Sequence, residues 1–200
     1  MTYISDVLFW ISTGLLVPVV VLLLVLFGRS LLLIGTFFGQ YMNMRRVQTA
    51  ATAELEGLTM ANVDTLADRL PHRASSLLLT FVHRMLANAG SSEHISRLLS
   101  QYEIAADRDM GISKTLVKLG PVLGLMGTLI PMGPALVGLS TGDIATMAYN
   151  MQVAFATTVV GLFSGAVGMI TLQVKKRWYM QDITQLEFLA ELLNRKNTSV

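Results

Sequence analysis

Three runs without a single charge dominate this sequence. They are 8–28, "LFWISTGLLVPVVVLLLVLFG"; 119–139, "LGPVLGLMGTLIPMGPALVGL"; and 153–174, "VAFATTVVGLFSGAVGMITLQV". A helix needs roughly 20 residues to cross the hydrocarbon core of a bilayer, and each run supplies them. Backbone groups in lipid must find partners within their own segment or in a closed barrel, and these runs lack strand alternation, so helices are the expected form. The bulk composition agrees, with 52% hydrophobic and 14% charged residues, a balance of membrane rather than soluble chains. The first run makes a poor signal peptide: Asp6 and no basic residue precedes it, and it exceeds the usual signal core. It reads as a retained anchor.

The positions of Lys and Arg set an expected orientation. All 15 lie either between Arg29 and Lys118 or from Lys175 onward; the N-terminal tail and residues 140–152 have none. Positive-inside bias therefore puts the N-terminus outside and the C-terminus in the cytoplasm. The expected organisation is an outside N-terminus with the first transmembrane helix (1–28), a cytoplasmic helical region (29–118), the second and third transmembrane helices joined by a short outside loop (119–174), and a cytoplasmic C-terminal helix (175–200). The fold class is an all-α membrane protein with three transmembrane helices and a cytoplasmic helical hairpin extending from them.

Within 29–118 the patterning is helical. The first membrane helix continues past the bilayer, Pro71 and "NAGSSE" at 88–93 mark breaks, and Asn88, Ser91 or Ser92 can cap a helix starting near Glu93. That helix runs on into the second span. The C-terminal "DITQLEFLAELLNRK" is a short amphipathic helix whose Ile183, Leu186, Leu189, Leu192 and Leu193 pack against the other cytoplasmic helices.

Several chemistries are not expected. There is no cysteine, which removes thiolate metal sites and thiol nucleophiles. His72, His83 and His94 recur every eleven residues, but eleven helical residues span roughly 16 Å, too far for one metal ion, so they read as surface histidines. No nucleophile elbow, zincin motif or phosphate-binding loop is present, and a net charge of +2 does not point to nucleic acid. Neither enzyme activity nor a cofactor is expected.

The glycines are more telling. Ala154, Thr158, Gly161, Gly165 and Gly168 recur at steps of four, three, four and three, with Phe155, Val159, Leu162, Val167 and Ile170 opposite. In the second span Gly120, Gly124 and Thr128 follow four-residue steps beside Gly127. Small residues let helix backbones approach closely in lipid, where apolar burial supplies no drive between helices. A threonine can bond its own i−4 carbonyl, yet two helices each setting one among glycines suit a narrow, weakly polar passage. No carboxylate stands between Met110 and Gly142 or between Ile144 and Gln181. A chain that moved protons alone would need a titrating group there, so either it moves none or a second protein supplies the acid.

These residues resemble the MotA/TolQ/ExbB proton-channel family, above all its three-span ExbB and TolQ members. "GPVLGLMGTLIPMGPAL" looks like the family's "AP.(L/V)GL.GTV.G" helix at Pro121, Gly124, Leu125, Gly127 and Thr128. "AFATTVVGLFSG" is similar to its "AL..T..GL" helix at Ala154, Thr158, Gly161 and Leu162. The match covers roughly residues 115–175. Two positions depart: Val153 stands where ExbB-type sequences carry a glutamate, with Gln152 beside it, and Val167 replaces a late proline. The resemblance implies a proton (or sodium) channel subunit of a two-component motor in the cytoplasmic membrane. It implies a homo-oligomer, a pentamer, around an ExbD/TolR/MotB-like single-span partner whose membrane aspartate carries the ion. Thr128 and Thr158 would face that partner. Gly120, Gly124, Gly127, Ala154, Gly161, Gly165 and Gly168 would pack the helices. The alternative is a passive membrane scaffold whose glycine stripes only assemble helices.

Overall fold

The computed structural model describes residues 2–56 and 76–198. Among the described residues every regular element is an α-helix: α1 (Thr2–Gly14), α2 (Leu16–Glu56), α3 (Leu77–Ala87), α4 (Ser92–Asp109), α5 (Gly111–Thr141) and α6 (Ile144–Thr198). Three helical stretches, Val7–Met42, Ser92–Thr141 and Ile144–Lys196, are long and apolar enough to cross a membrane. The all-α membrane class read from the sequence holds. Pro71 and His72 lie outside the described residues.

The helices differ from the sequence reading at four points. The first span is interrupted at Leu15, between α1 and α2. Pro18 has no amide hydrogen, so the carbonyl of Gly14 loses its helical donor, while the Leu15 amide still donates to Ile11 and Ser12 and the Val19 amide to Leu15. Past Arg29 the exposed surface of α2 stays apolar at Leu31, Leu32, Ile34 and Phe38, so one arginine does not end the apolar helix. Met110 separates α4 from α5 where an uninterrupted helix was expected, and the C-terminal segment is no separate helix but the end of α6.

By internal contacts the chain divides into two units, Met1–Gly35 with Ile112–Leu172, and Thr36–Gly111 with Gln173–Val200. In the first, α5 and α6 form an antiparallel pair with almost no side chains between them. A β-carbon on Gly120 would meet the Gly161 oxygen and the Gly165 nitrogen at 2.8 Å; one on Gly161 would meet the Gly120 oxygen at 2.6 Å and the Gly124 Cα at 2.7 Å. Gly165 closes on the Pro121 ring at 2.9 Å, and Gly168 on the Leu116 Cβ at 2.7 Å. Backbone therefore lies on backbone, the arrangement that maximises dispersion contact where lipid provides no hydrophobic drive. α2 lays Val19, Leu23, Leu26 and Leu33 against Leu116, Leu123 and Ile130, with Val167 partly buried beside them. Val167 thus belongs to an inner contact, whereas Phe155, Val159, Leu162 and Ile170 face outward.

The turn between α5 and α6 is built from Gly142, at φ 75°. The Asp143 amide donates to the Gly138 oxygen and the Gly142 amide to Leu139, a Schellman closure that needs a left-handed residue at this position. Asp143 then caps α6, accepting from the Thr146 amide at 3.0 Å and the Thr146 hydroxyl at 2.6 Å. Those bonds hold its carboxyl below the usual carboxylate range.

The second unit has a conventional core. Leu78, Leu79, Val82 and Met85 of α3 pack with Ile95, Tyr102 and Ala106 of α4 and with Leu186, Leu189 and Leu193 of α6. Ser91 caps α4, its hydroxyl accepting from the His94 amide. One side of the core is polar. Tyr102, fully buried, donates to Asp182 at 2.8 Å. Lys175 and Tyr179 both donate to Asp109, at 2.7 and 2.6 Å. Burial, then the neighbouring carboxylates, pushes both phenols well above the ordinary tyrosine range. Burial acts upward on Asp109 too, but the bonds from Lys175 and Tyr179 outweigh it and hold the carboxyl below its usual value.

Two outcomes follow from these contacts. Gly161→Ala should destabilise the α5–α6 pair by about 1–3 kcal/mol, because the added methyl meets rigid backbone. Gly28→Ala, with nothing within 4 Å of the added atom, should be neutral or stabilising. Thermal unfolding in detergent compares them, and equal melting temperatures would refute the close approach. Asp109→Asn should cost about 2 kcal/mol at neutral pH, less than for a fully enclosed pair because the Asp109 side chain is 38% exposed while Lys175 is 5%. A depressed carboxyl stabilises above its ordinary value and loses that contribution as pH falls through its folded value. The wild type should therefore lose this part of its stability below about pH 4, and the variant should lack it; parallel acid-unfolding curves would contradict the assignment.

Candidate functional site

The buried positions of α6 in the first unit are Ala154, Thr157, Gly161, Ser164, Gly165, Gly168 and Thr171. Those of α5 include Ser113, Leu116, Gly120, Leu123, Gly124, Gly127 and Ile130. Apart from the adjacent pairs Ser164–Gly165 and Leu123–Gly124, both sets advance by threes and fours, close to the mean step of 3.5 that keeps two helices in contact over a long length. Four-residue steps behave differently: each carries the side chain about 40° further around the axis.

That drift decides where the threonines stand. Gly120 and Gly124 lie on the seam, but Thr128, a further step on, is only partly buried, and Gly127 takes the seam position instead. Likewise Thr158 is half-buried while Thr157 is 6% exposed. The seam contact is Gly127 against Thr157, where an added β-carbon would meet the Thr157 Cβ and Oγ1 at 2.6 Å. Thr158 approaches Gly124 with its backbone, its Cα 3.6 Å from that glycine's β-carbon position. Ala154 is 3% exposed. The structure thus brings the glycines of the two helices together and leaves Thr128 and Thr158 beside the seam.

Both hydroxyls are already donors. Thr128 Oγ1 donates to the Leu125 oxygen at 2.7 Å, and Thr158 Oγ1 to the Ala154 oxygen at 2.9 Å. A hydroxyl has one hydrogen and two lone pairs, so each threonine offers its surroundings an acceptor and no proton. Such a group suits a cation or the O–H of a protonated acid.

Sequence reasoning missed the inner hydroxyls. Thr157, Ser164 and Thr171 are spaced by seven residues and all buried. Thr157 donates to Val153 and Ala154, Ser164 to Val160, and Thr171 to Val167 and Gly168. Ser113 of α5 meets Thr171 at 3.1 Å, both fully or almost fully buried. Their seven-residue spacing was the available signal. Val153, at the position where ExbB-type sequences carry glutamate, is half-buried, and Gln152 is exposed.

Among the described residues no group of three His, Asp or Glu side chains converges to hold a metal. His83 lies on α3 and His94 on α4, their Nδ1 atoms meeting the Leu79 oxygen at 2.8 Å and the Ser91 hydroxyl at 3.1 Å. The membrane stretches of α5 and α6 hold no carboxylate, and their polar side chains are hydroxyls apart from Gln173 at the end of the third run.

Comparison with curated proteins gives no match. Residues 73–187, more than half of the chain and inclusive of the whole α5–α6 seam, match the MotA/TolQ/ExbB proton channel family. With three helices able to span a membrane and its match centred on the glycine-packed pair, this chain belongs to the MotA/TolQ/ExbB proton channel family.

Proposed function

We propose that this chain is the ion-conducting, ring-forming subunit of a two-component membrane motor in which a partner protein carries the titrating acid. The observation that supports this most is a pairing of presence and absence. Thr128 and Thr158 stand partly exposed beside a sealed glycine seam, each presenting an acceptor, while the membrane stretches around them hold no carboxylate. A hydroxyl acceptor stabilises the protonated acid, or a sodium ion, without a fixed charge in lipid, which would cost roughly 2.5–3.5 kcal/mol per subunit. The partner is an ExbD/TolR/MotB-like single-span protein with a membrane aspartate, the ring a homopentamer, and the site of action the cytoplasmic membrane, with the N-terminus outside and residues 29–118 and 175–200 in the cytoplasm.

One observation favours a second reading. Because both threonines already bond their own helices, they could serve packing alone, and the chain would be a passive scaffold. Reconstituted vesicles separate the two. Channel function requires proton uptake by the wild-type chain with its partner and none without it. Thr128→Val and Thr158→Val should each lower that flux roughly 2- to 10-fold, the worth of one hydrogen bond, with the ring intact on native mass spectrometry. Thr→Ser at either site should restore it. Full flux from the double Val variant would leave the threonines as packing, and no flux from the wild type would sink the channel reading.

Orientation is tested separately. A cysteine at Ser140 should react with a membrane-impermeant thiol reagent in intact cells, whereas one at Ser91 should not. The reverse labelling would overturn the topology.

A further inference from the structure

The end of the third apolar run carries a cationic face that the ion route does not use. "KKR" at 175–177 looks like one uniform basic flank, but the fold divides it. Lys175 is 4% exposed and held by Asp109. Lys176 and Arg177 are exposed, and among the described residues neither makes an ion pair. They line an open depression of about 460 Å³ with Gln173, Met180, Gln181 and Thr184. These six follow one another at helical spacing along one face of α6. Among the described residues no carboxylate lines the depression.

Its level relative to the bilayer can be read from its neighbours. Lys176 stands two residues, about 3 Å of helix, beyond Val174, where the apolar run ends. Two turns earlier, beyond the exposed Gln173, the exposed residues are apolar, Met169 and Ile170. Trp178, next to Arg177, stacks on Phe37 at 5.7 Å and lies 5.7 Å from Tyr41. Clustered Trp and Tyr rings mark the headgroup level of a membrane. Two exposed cations at that level, without an ion pair among the described residues and flanked by two amides, meet a phosphodiester at its own depth.

We infer that the Lys176–Arg177 face binds the headgroup of an anionic phospholipid of the adjoining leaflet, with phosphatidylglycerol as its type. The guanidinium can fork onto the two free phosphate oxygens, the ammonium adds a point charge, and Gln173 and Gln181 can bond the glycerol hydroxyls. A zwitterionic lipid would bring a cation to a face that has no acid to receive it. Charge and depth both favour the lipid over a soluble anion.

Native mass spectrometry of the full-chain complex, delipidated and titrated with short-chain phosphatidylglycerol or phosphatidylcholine, tests the site. Phosphatidylglycerol should bind the wild type in preference, and Lys176→Gln with Arg177→Gln should weaken it about thirtyfold, about 1 kcal/mol for each cation. Phosphatidylcholine binding should not change. The charge-preserving pair Lys176→Arg with Arg177→Lys should retain most of the affinity. Equal binding of both lipids by the wild type, or undiminished phosphatidylglycerol binding by the Gln pair, overturns the inference. Displacement by millimolar inorganic phosphate would assign the face to a soluble anion, and loss of the oligomer in the Gln pair to a neighbouring chain; either result also overturns it. None of these readouts depends on ion flux, so the site and the channel reading can fail independently.

Discussion

The contact on which the membrane unit depends is backbone against backbone at Gly120, Gly124, Gly161 and Gly165. With the β-carbon positions of Gly120, Gly124 and Gly161 2.6–3.3 Å from the facing main chain, and that of Gly165 2.9 Å from the Pro121 ring, a larger residue at any of them must shift its neighbour. Lipid is as apolar as leucine, so the pair cannot be held by expelling water; it is held by the density of contact that missing side chains allow. The same closeness seals the seam. Whatever polar function these helices have must lie at its edges, and that is where Thr128 and Thr158 stand.

Helix α6 shows how one buried stripe changes its chemistry with its surroundings. In the membrane unit its buried positions are Ala154, Thr157, Gly161, Ser164, Gly165, Gly168 and Thr171. In the other unit they are Lys175, Tyr179, Asp182, Leu186, Leu189 and Leu193. The leucines gain from leaving water; the membrane residues could not. Between them, Lys175, Tyr179 and Asp182 bond to Asp109 and Tyr102. These bonds are directional. A core of leucines tolerates sliding by part of a turn, whereas two carboxylates matched to two phenols and an ammonium do not.

What the sequence made legible follows the range over which each signal acts. The apolar runs, the absence of strands and the Ser91 cap depend on local composition and periodicity, and they can be read along the chain. The small-residue stripe is legible in the same way, but its angular setting is not. Steps of four drew attention to Thr128, and alternating steps of four and three to Thr158, while the paired helices bury Gly127 and Thr157, each one residue earlier. The break at Leu15 had its cue in Pro18, which the strength of the apolar signal concealed. Lys175 was hardest to place. Its burial depends on Asp109, 66 residues upstream, and nothing in "KKRWY" distinguishes the first lysine from the second.

The hydroxyls fall into two classes, and bonding geometry alone does not separate them. Thr128, Thr158, Thr157, Ser164 and Thr171 all donate to their own helices. Exposure separates them. Thr157, Ser164 and Thr171 keep their lone pairs inside the chain, and Thr171 meets Ser113; they close the seam with small polar groups that leave no hydrogen unpaired. Thr128 and Thr158 are partly exposed, which leaves theirs open to what lies beside the pair. On the proposed reading this separates the labour of the two proteins. The ring supplies acceptors that tolerate both states of the ion carrier, and the partner's acid alone changes charge. A titrating group in every subunit would multiply the desolvation cost around the ring and couple the subunits' protonation to one another. Confining the charge to the partner leaves one titration to drive the cycle.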